Sequence, residues 1–227
     1  MNNIMTDSIF FGAVISVVGY LIGIFLRKKI SVNPLLVSII FVIAVIKIFH
    51  IDYETYNSGA KYISYLLTPA TVCLAIPLYR QISVLKEHAK EVFIGILAGV
   101  LASMGSILLM SYLFGLTHEQ YVTLLPKSIT TAIGMGVSEE LGGIQTITVA
   151  VIIITGVLGN IIAEAVLKIF RIKEPVAKGL AIGTASHAIG TTKALEIGEI
   201  EGAMSSLSVA VAGLMTVISA SIFANMM

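Results

Sequence analysis

Six long apolar runs carry no charged residue: 8–26, 30–46, 62–79, 92–116, 141–163 and 202–227, of 19, 17, 18, 25, 23 and 26 residues. A bilayer core about 30 Å thick takes ~20 residues of helix at 1.5 Å each. The pattern therefore predicts an all-α, polytopic integral membrane protein with six spanning helices. Between runs four and five lies the stretch 121–140, where LLPKSITTAIGMGVSEELGG (124–143, running into run five) breaks the pattern with Pro126, Lys127, hydroxyls and glycines. Such a stretch makes a poor lipid-facing helix and suits a re-entrant hairpin lining a cavity. Run three carries Thr68, Pro69, Thr71 and Pro77 inside LLTPATVCLAIPLY, which predicts a kinked or unwound helix with the threonines serving freed carbonyls.

Sliding the chain by 56 positions lays SITTAIGMGVSEELGGI (128–144) on TASHAIGTTKALEIGEI (184–200), with six of 17 pairs identical. Each copy precedes a long uncharged run, so the single transmembrane domain 1–227 is expected to contain two hairpin repeat units, about 121–169 and 177–225. One crossing separates them, and the two hairpins should enter from opposite faces and meet tip to tip. The shared Ala-Ile-Gly is expected at each turn, because glycine tolerates close backbone approach. Inverted repeats of broken helices are the design of secondary transporters.

Charge sets the orientation. Lys and Arg favour the cytoplasmic side in short loops, and ten such residues in loops 27–29, 80–90 and 168–178 outweigh two, Lys47 and Lys61, on the other side. The N-terminus is thus expected outside, and 121–140 enters and leaves on one face. Asp7 before the first run and the cations after it argue for a retained anchor rather than a cleaved signal. Charged residues are 12% of the chain, with a net charge of +1, against about 25% in soluble domains. No basic block offers a nucleic-acid footprint. The lone Cys73 has neither a disulfide partner nor metal-ligand companions and reads as a small core residue. No cofactor or metal site is expected. Enzyme signatures such as G-x-S-x-G and H-E-x-x-H are missing from the sequence, and Ser186 beside His187 points about 100° away on a helix.

The candidate chemistry lies in the two hairpins. Lys127 and Lys193 are cations at membrane depth, where each costs about 2.5–3.5 kcal/mol. They suit a small carboxylate, or alternatively snorkel to the interface. Ser128, Thr130, Thr131, Thr184, Ser186, Thr191 and Thr192 would orient such an anion, with Gly134 and Gly190 at the turns. His187 titrates near neutral pH and is a candidate for proton coupling, or else a packed helix histidine. Glu140 and Glu196 occupy equivalent repeat positions and would carry a proton, pair with the lysines or cap hairpin ends. His50, His88 and His118 read as solvated loop residues, and Glu164 as a snorkelling one.

LLTPATVCLAIPLYRQ (66–81), LLPKSITTAIGMGVSEELGG (124–143) and GLAIGTASHAIGTTKALEIGEIEGAMSSLSV (179–209) resemble the three signature blocks of the LrgB/CidB family of bacterial membrane proteins. Ala132 and Gly134 depart from the Thr-Pro-Ile-Ala expected in many relatives, which implies a less kinked first hairpin. The resemblance implies two competing functions. One is an antiholin-like modulator of murein hydrolase activity and lysis, acting with a small LrgA/CidA-type membrane partner. The other is transport of small monocarboxylates such as pyruvate, glycolate or glycerate, as in a plastid carrier similar to both subunits fused. The paired polar hairpins favour transport by alternating access. A bacterial inner-membrane location and a homo-oligomer are expected.

Overall fold

The computed structural model describes residues 10–30, 33–66, 69, 72–73 and 75–227. Every regular element among them is a helix. The chain divides into two compact units, 1–73 and 74–227.

In the first unit, α1 (Phe11–Ile30), α2 (Pro34–Ile48) and α3 (Tyr53–Ser64) pack together. Asn33 caps α2 by accepting from the Leu35 and Leu36 N–H groups at 2.8 and 3.3 Å, and Pro34 occupies the first position, where it forfeits no helical bond. At 15 residues, α2 rises only about 22 Å, short of the crossing expected from run two. Polar α3 lies against α1, where Tyr56 Oη meets Ser16 Oγ at 2.8 Å. The expected break in run three falls largely outside the described residues: Thr68 and Thr71 are not among them. Pro69 is exposed. Cys73 is exposed rather than buried in a core. In a chain whose outer face is apolar, that face suits a small soft thiol as well as an interior does.

The second unit comprises α4 (Ala75–Arg80), α5 (Ile82–Glu87), α6 (Ala89–Phe114), α7 (His118–Leu124), α8 (Thr131–Glu140), α9 (Gln145–Ile169), α10 (Pro175–Ile197) and α11 (Glu199–Ala224). Pro77 sits in the first turn of α4, where a missing N–H is tolerated. Val92, Ile96, Val100 and Met104, one residue per turn of α6, form the core with Tyr121, Leu125, Ile129, Leu180 and Met204. The opposite faces expose Phe93, Ile94, Leu101 and Leu109 of α6, Ile154 and Leu158 of α9, and Leu214 and Ile218 of α11. Together with α1, these three helices are long and apolar enough to cross a membrane. An apolar outside around a core threaded with small and polar residues is the arrangement lipid selects.

The chain doubles back twice. In α10, residues 175–186 and 188–197 form two arms joined at His187, whose φ of 44° and ψ of −145° are non-helical. A β-carbon on Gly190 would lie 3.2 Å from the Ile182 carbonyl, whereas positions eight apart on a straight helix are about 12 Å apart. The first arm runs parallel to α11, pairing Gly179 with Glu201 and Gly183 with Ser205; the second runs antiparallel to it, pairing Thr191 with Ser205 and Leu195 with Gly202. Likewise α8 runs antiparallel to α9 through Gly134–Ile152 and Ser138–Thr148, and α7 folds back so that Thr123 and Ser138 share Thr148.

The two turns differ, and Pro126 is the reason. Proline has no N–H to continue the helical ladder, so although Leu125 keeps helical φ and ψ of −53° and −45°, α7 gives way to an irregular tip at 125–130. The position 56 residues later is Ile182, and there the helix continues to Ser186. Ala-Ile-Gly does not form either turn: it opens α8 in one copy and follows His187 in the other. Helix α8 runs unbroken through Ala132–Gly134, with Gly134 N–H donating to Thr130 O at 2.8 Å. The first arm of α10 is antiparallel to α9, with Ser186 on Gly159 and Ile182 in one cluster with Ala163 and Leu167, and parallel to α11. Helices α9 and α11, the equivalents in the two copies, therefore point in opposite directions.

Candidate functional site

Ser128 of the first hairpin and Thr184 of the second line one small void beside the middle of α6. Lys127 Nζ donates to Ser128 Oγ at 2.9 Å and to Ser103 Oγ at 3.3 Å, and Ser103 donates to Ser128 at 3.0 Å. Ser103 is about 21 Å along α6 from its start, near the helix midpoint. Among the described residues no carboxylate lies within ion-pair distance of Lys127.

Lys127 and Ser128 line a cavity of about 730 Å³ between α6 and the first arm of α10. Its walls are small residues of α6 (Gly95, Gly99, Ala102, Ser103) and of α10 (Ala177, Ala181, Thr184, Ala185); His88, Glu91 and Glu174 flank its other end. Thr184 and Ser128 are equivalent residues of the repeat, one from each hairpin. Thr184 is 5% exposed, and its hydroxyl has no hydrogen-bond partner among the described residues. A void of about 10 Å³ adjoins Ser103, Ser128, Thr184 and Thr216, room for about one water or one ligand oxygen.

His187 holds the second tip. Buried at 2% exposure, it brings Nε2 to 2.9 Å from the Ile152 carbonyl, while the Ile152 side chain fills the notch over Gly134 in the first hairpin. A single residue of α9 thus touches both hairpins. Thr191 donates to His187 O at 3.1 Å and meets Ser205 Oγ at 2.8 Å, so it braces the tip from behind.

Other sequence candidates lie elsewhere. Lys193 does not join Lys127: its ammonium meets Glu164 at 2.6 Å and Glu196 at 3.3 Å on the α9 side of the second arm. Two carboxylates already oppose its charge, which leaves little attraction for a substrate anion. Glu164 is a cross-helix ion-pair partner rather than a residue extended to the interface alone. Thr192 accepts from Asn160 Nδ2 at 2.9 Å and donates to Ile189 O at 2.8 Å. Ser186 and Gly190 pack at the hairpin turn, Ser186 against Gly159. Thr130 is the N-cap residue of α8 without a side-chain capping bond, Thr131 begins that helix, and Glu140 is exposed at its end.

Sequence reasoning missed Gly95, Gly99, Ser103 and His88. The signal was available in Gly95-x3-Gly99-x3-Ser103, a stripe of small residues that lets a neighbouring helix or ligand approach. Among the described residues no group of three His, Cys, Asp or Glu could hold a metal ion.

Residues 16–226 match the LrgB-like family. The antiholin-like protein LrgB of Bacillus mycoides is 38% identical over 213 residues, 92% of this chain and 93% of that protein. The protein of the same name from Bacillus cereus matches to the same extent. No solved structure matches. With nearly the whole chain covered at that identity, this multi-pass membrane protein belongs to the LrgB-like family.

Proposed function

We infer that the protein is a secondary carrier of small monocarboxylates, working by alternating access between two inverted repeats whose re-entrant hairpins meet near the bilayer midplane. One observation carries the reading: Lys127 stands at mid-helix depth in the lining of a cavity, with no carboxylate of the described residues within ion-pair distance. An unbalanced cation at that depth is costly. A carboxylate offsets that cost, accepting from the Lys127 ammonium and from the Ser128 and Thr184 hydroxyls, one from each hairpin. Because the substrate would touch both repeats, its departure would free them to rock. His187 and Ile152 link the hairpins so that one tip cannot shift unnoticed by the other, and His187 is the candidate for carrying a coupling proton.

A second reading rests on the relatives, whose names favour it over transport: an antiholin-like regulator of murein hydrolase activity that acts through a small LrgA/CidA-type partner in the inner membrane. Uptake of labelled pyruvate and glycolate into proteoliposomes, with and without that partner, separates the two. The carrier reading expects saturable flux in at least one preparation. Flux absent from both, with partner oligomers still responding to this chain, establishes the regulator instead.

A further inference from the structure

A second cavity, of about 550 Å³, lies at the end of α9 away from the hairpin tips. Lys168, Arg171, Lys173 and Lys178 line it, with Glu164 among them and Leu167, Ile172 and Ile197 as apolar wall. Glu164 is engaged by Lys193 at 2.6 Å and lies 4.0 Å from Lys168, and Lys178 faces Glu201 at 3.6 Å. No carboxylate of the described residues lies within ion-pair distance of Arg171 or Lys173.

Arg171 also occupies an unusual position. Its φ is 54°, and around it Ile172 N–H donates to Leu167 O at 2.9 Å while its own N–H donates to Lys168 O at 3.1 Å. That is the helix-ending turn in which glycine is favoured and a side chain is a cost. Here the turn aims a guanidinium into the cavity instead.

The occupant must match three cations beside an apolar wall. A guanidinium fork suits phosphate oxygens, which it engages bidentately. The apolar wall adds nothing for a free phosphate but accommodates glycerol and the first methylenes of a lipid. Ile169 and Phe170, 73% and 72% exposed next to the cavity, form an apolar surface of the kind that sits at a membrane boundary. We propose that this cavity is a headgroup site for an anionic phospholipid, its phosphate held by Arg171, Lys168 and Lys173. The proposal stands apart from the carrier reading, since no residue is shared with the Lys127 cavity.

Native mass spectrometry of the detergent-purified protein, supplied with equal phosphatidylglycerol and phosphatidylcholine, tests it. Wild type should retain phosphatidylglycerol preferentially. Arg171→Gly suits the backbone, so the variant should unfold no sooner than wild type yet retain about fivefold less phosphatidylglycerol. Lys173→Gln, at an exposed position, should lower retention by a similar factor without touching the turn. Wild-type preference in both variants overturns the site. Displacement of the lipid by millimolar inorganic phosphate overturns the lipid assignment in favour of a free phosphate. Neither readout involves transport, so failure here leaves the carrier reading standing.

Discussion

Replacing Gly156 by alanine probes the contact that fixes the second hairpin. A β-carbon there would meet His187 Cε1 at 2.7 Å, His187 Nε2 at 2.8 Å and Ile189 Cβ at 2.9 Å. None of these can move aside cheaply, because the imidazole is buried and bound to the Ile152 carbonyl. Alanine gains about 1 kcal/mol in helix propensity over glycine. Against that, overpacking costs about 1–3 kcal/mol, and pushing the ring off its carbonyl strands a buried nitrogen for about 1–3 kcal/mol more. The balance is a loss of about 3 kcal/mol. Unfolding in mixed micelles with dodecyl sulfate, followed by far-ultraviolet circular dichroism, reads it. Gly105→Ala is the control: nothing lies within 4 Å of the added carbon, so its midpoint should stay or rise slightly. A Gly156→Ala midpoint equal to wild type refutes the packing argument.

Three further outcomes follow from particular contacts. Thr184→Val removes a buried hydroxyl that has no partner among the described residues, so stability should hold or rise by up to about 1 kcal/mol, while carboxylate uptake falls roughly tenfold, the worth of one hydrogen bond to a charged group. Glu164→Gln or Lys193→Met disrupts a pair in which Glu164 is half-exposed and Lys193 largely covered, costing about 1 kcal/mol each, and the double variant should recover most of it; uptake should be unchanged in all three, because the pair lies outside the Lys127 cavity. Asp52 caps α3, and its carboxyl is held below its ordinary value of 3.8, first by the Thr55 side chain and then by the Thr55 and Glu54 N–H groups. The folded value is the lower one, so the cap's contribution is complete above the ordinary value and is lost as pH falls through the depressed one. Amide exchange at residues 54–56 should accelerate over that acid range and not at neutral pH.

The long runs 92–116, 141–163 and 202–227 became α6, α9 and α11 because length and uniform apolarity leave a chain in lipid no other way to satisfy its backbone. The 56-residue repeat also had a readable structural counterpart, since Gly142 and Gly198 each separate a short arm, α8 in one copy and 188–197 of α10 in the other, from a long helix. The turns were harder. Pro126 is a local breaker and could be read; His187 is an ordinary helix residue by composition, and its positive φ comes from packing against Gly156 and Ile152, contacts invisible along one strand of sequence. Lys193 and Lys127 looked alike because both interrupt apolar stretches. Only the folded chain brings Glu164, 29 positions earlier, onto Lys193 and leaves Lys127 to serines. The wall of the candidate cavity was overlooked because glycines and serines in α6 read as part of a plain apolar span. Likewise, run two counted as a crossing by composition, although its helix ends after 15 residues at Ile48.

The central claim is that a carboxylate binds at Lys127, and ligand-induced stabilisation tests it most directly. A ligand held only by the folded state adds about 2.7 kcal/mol at a hundredfold excess over its dissociation constant. Pyruvate or glycolate should therefore raise the unfolding midpoint of the purified protein in a saturable way, and Lys127→Met should abolish the rise while remaining folded. An equal rise in wild type and Lys127→Met, or no rise with any small monocarboxylate, contradicts the account.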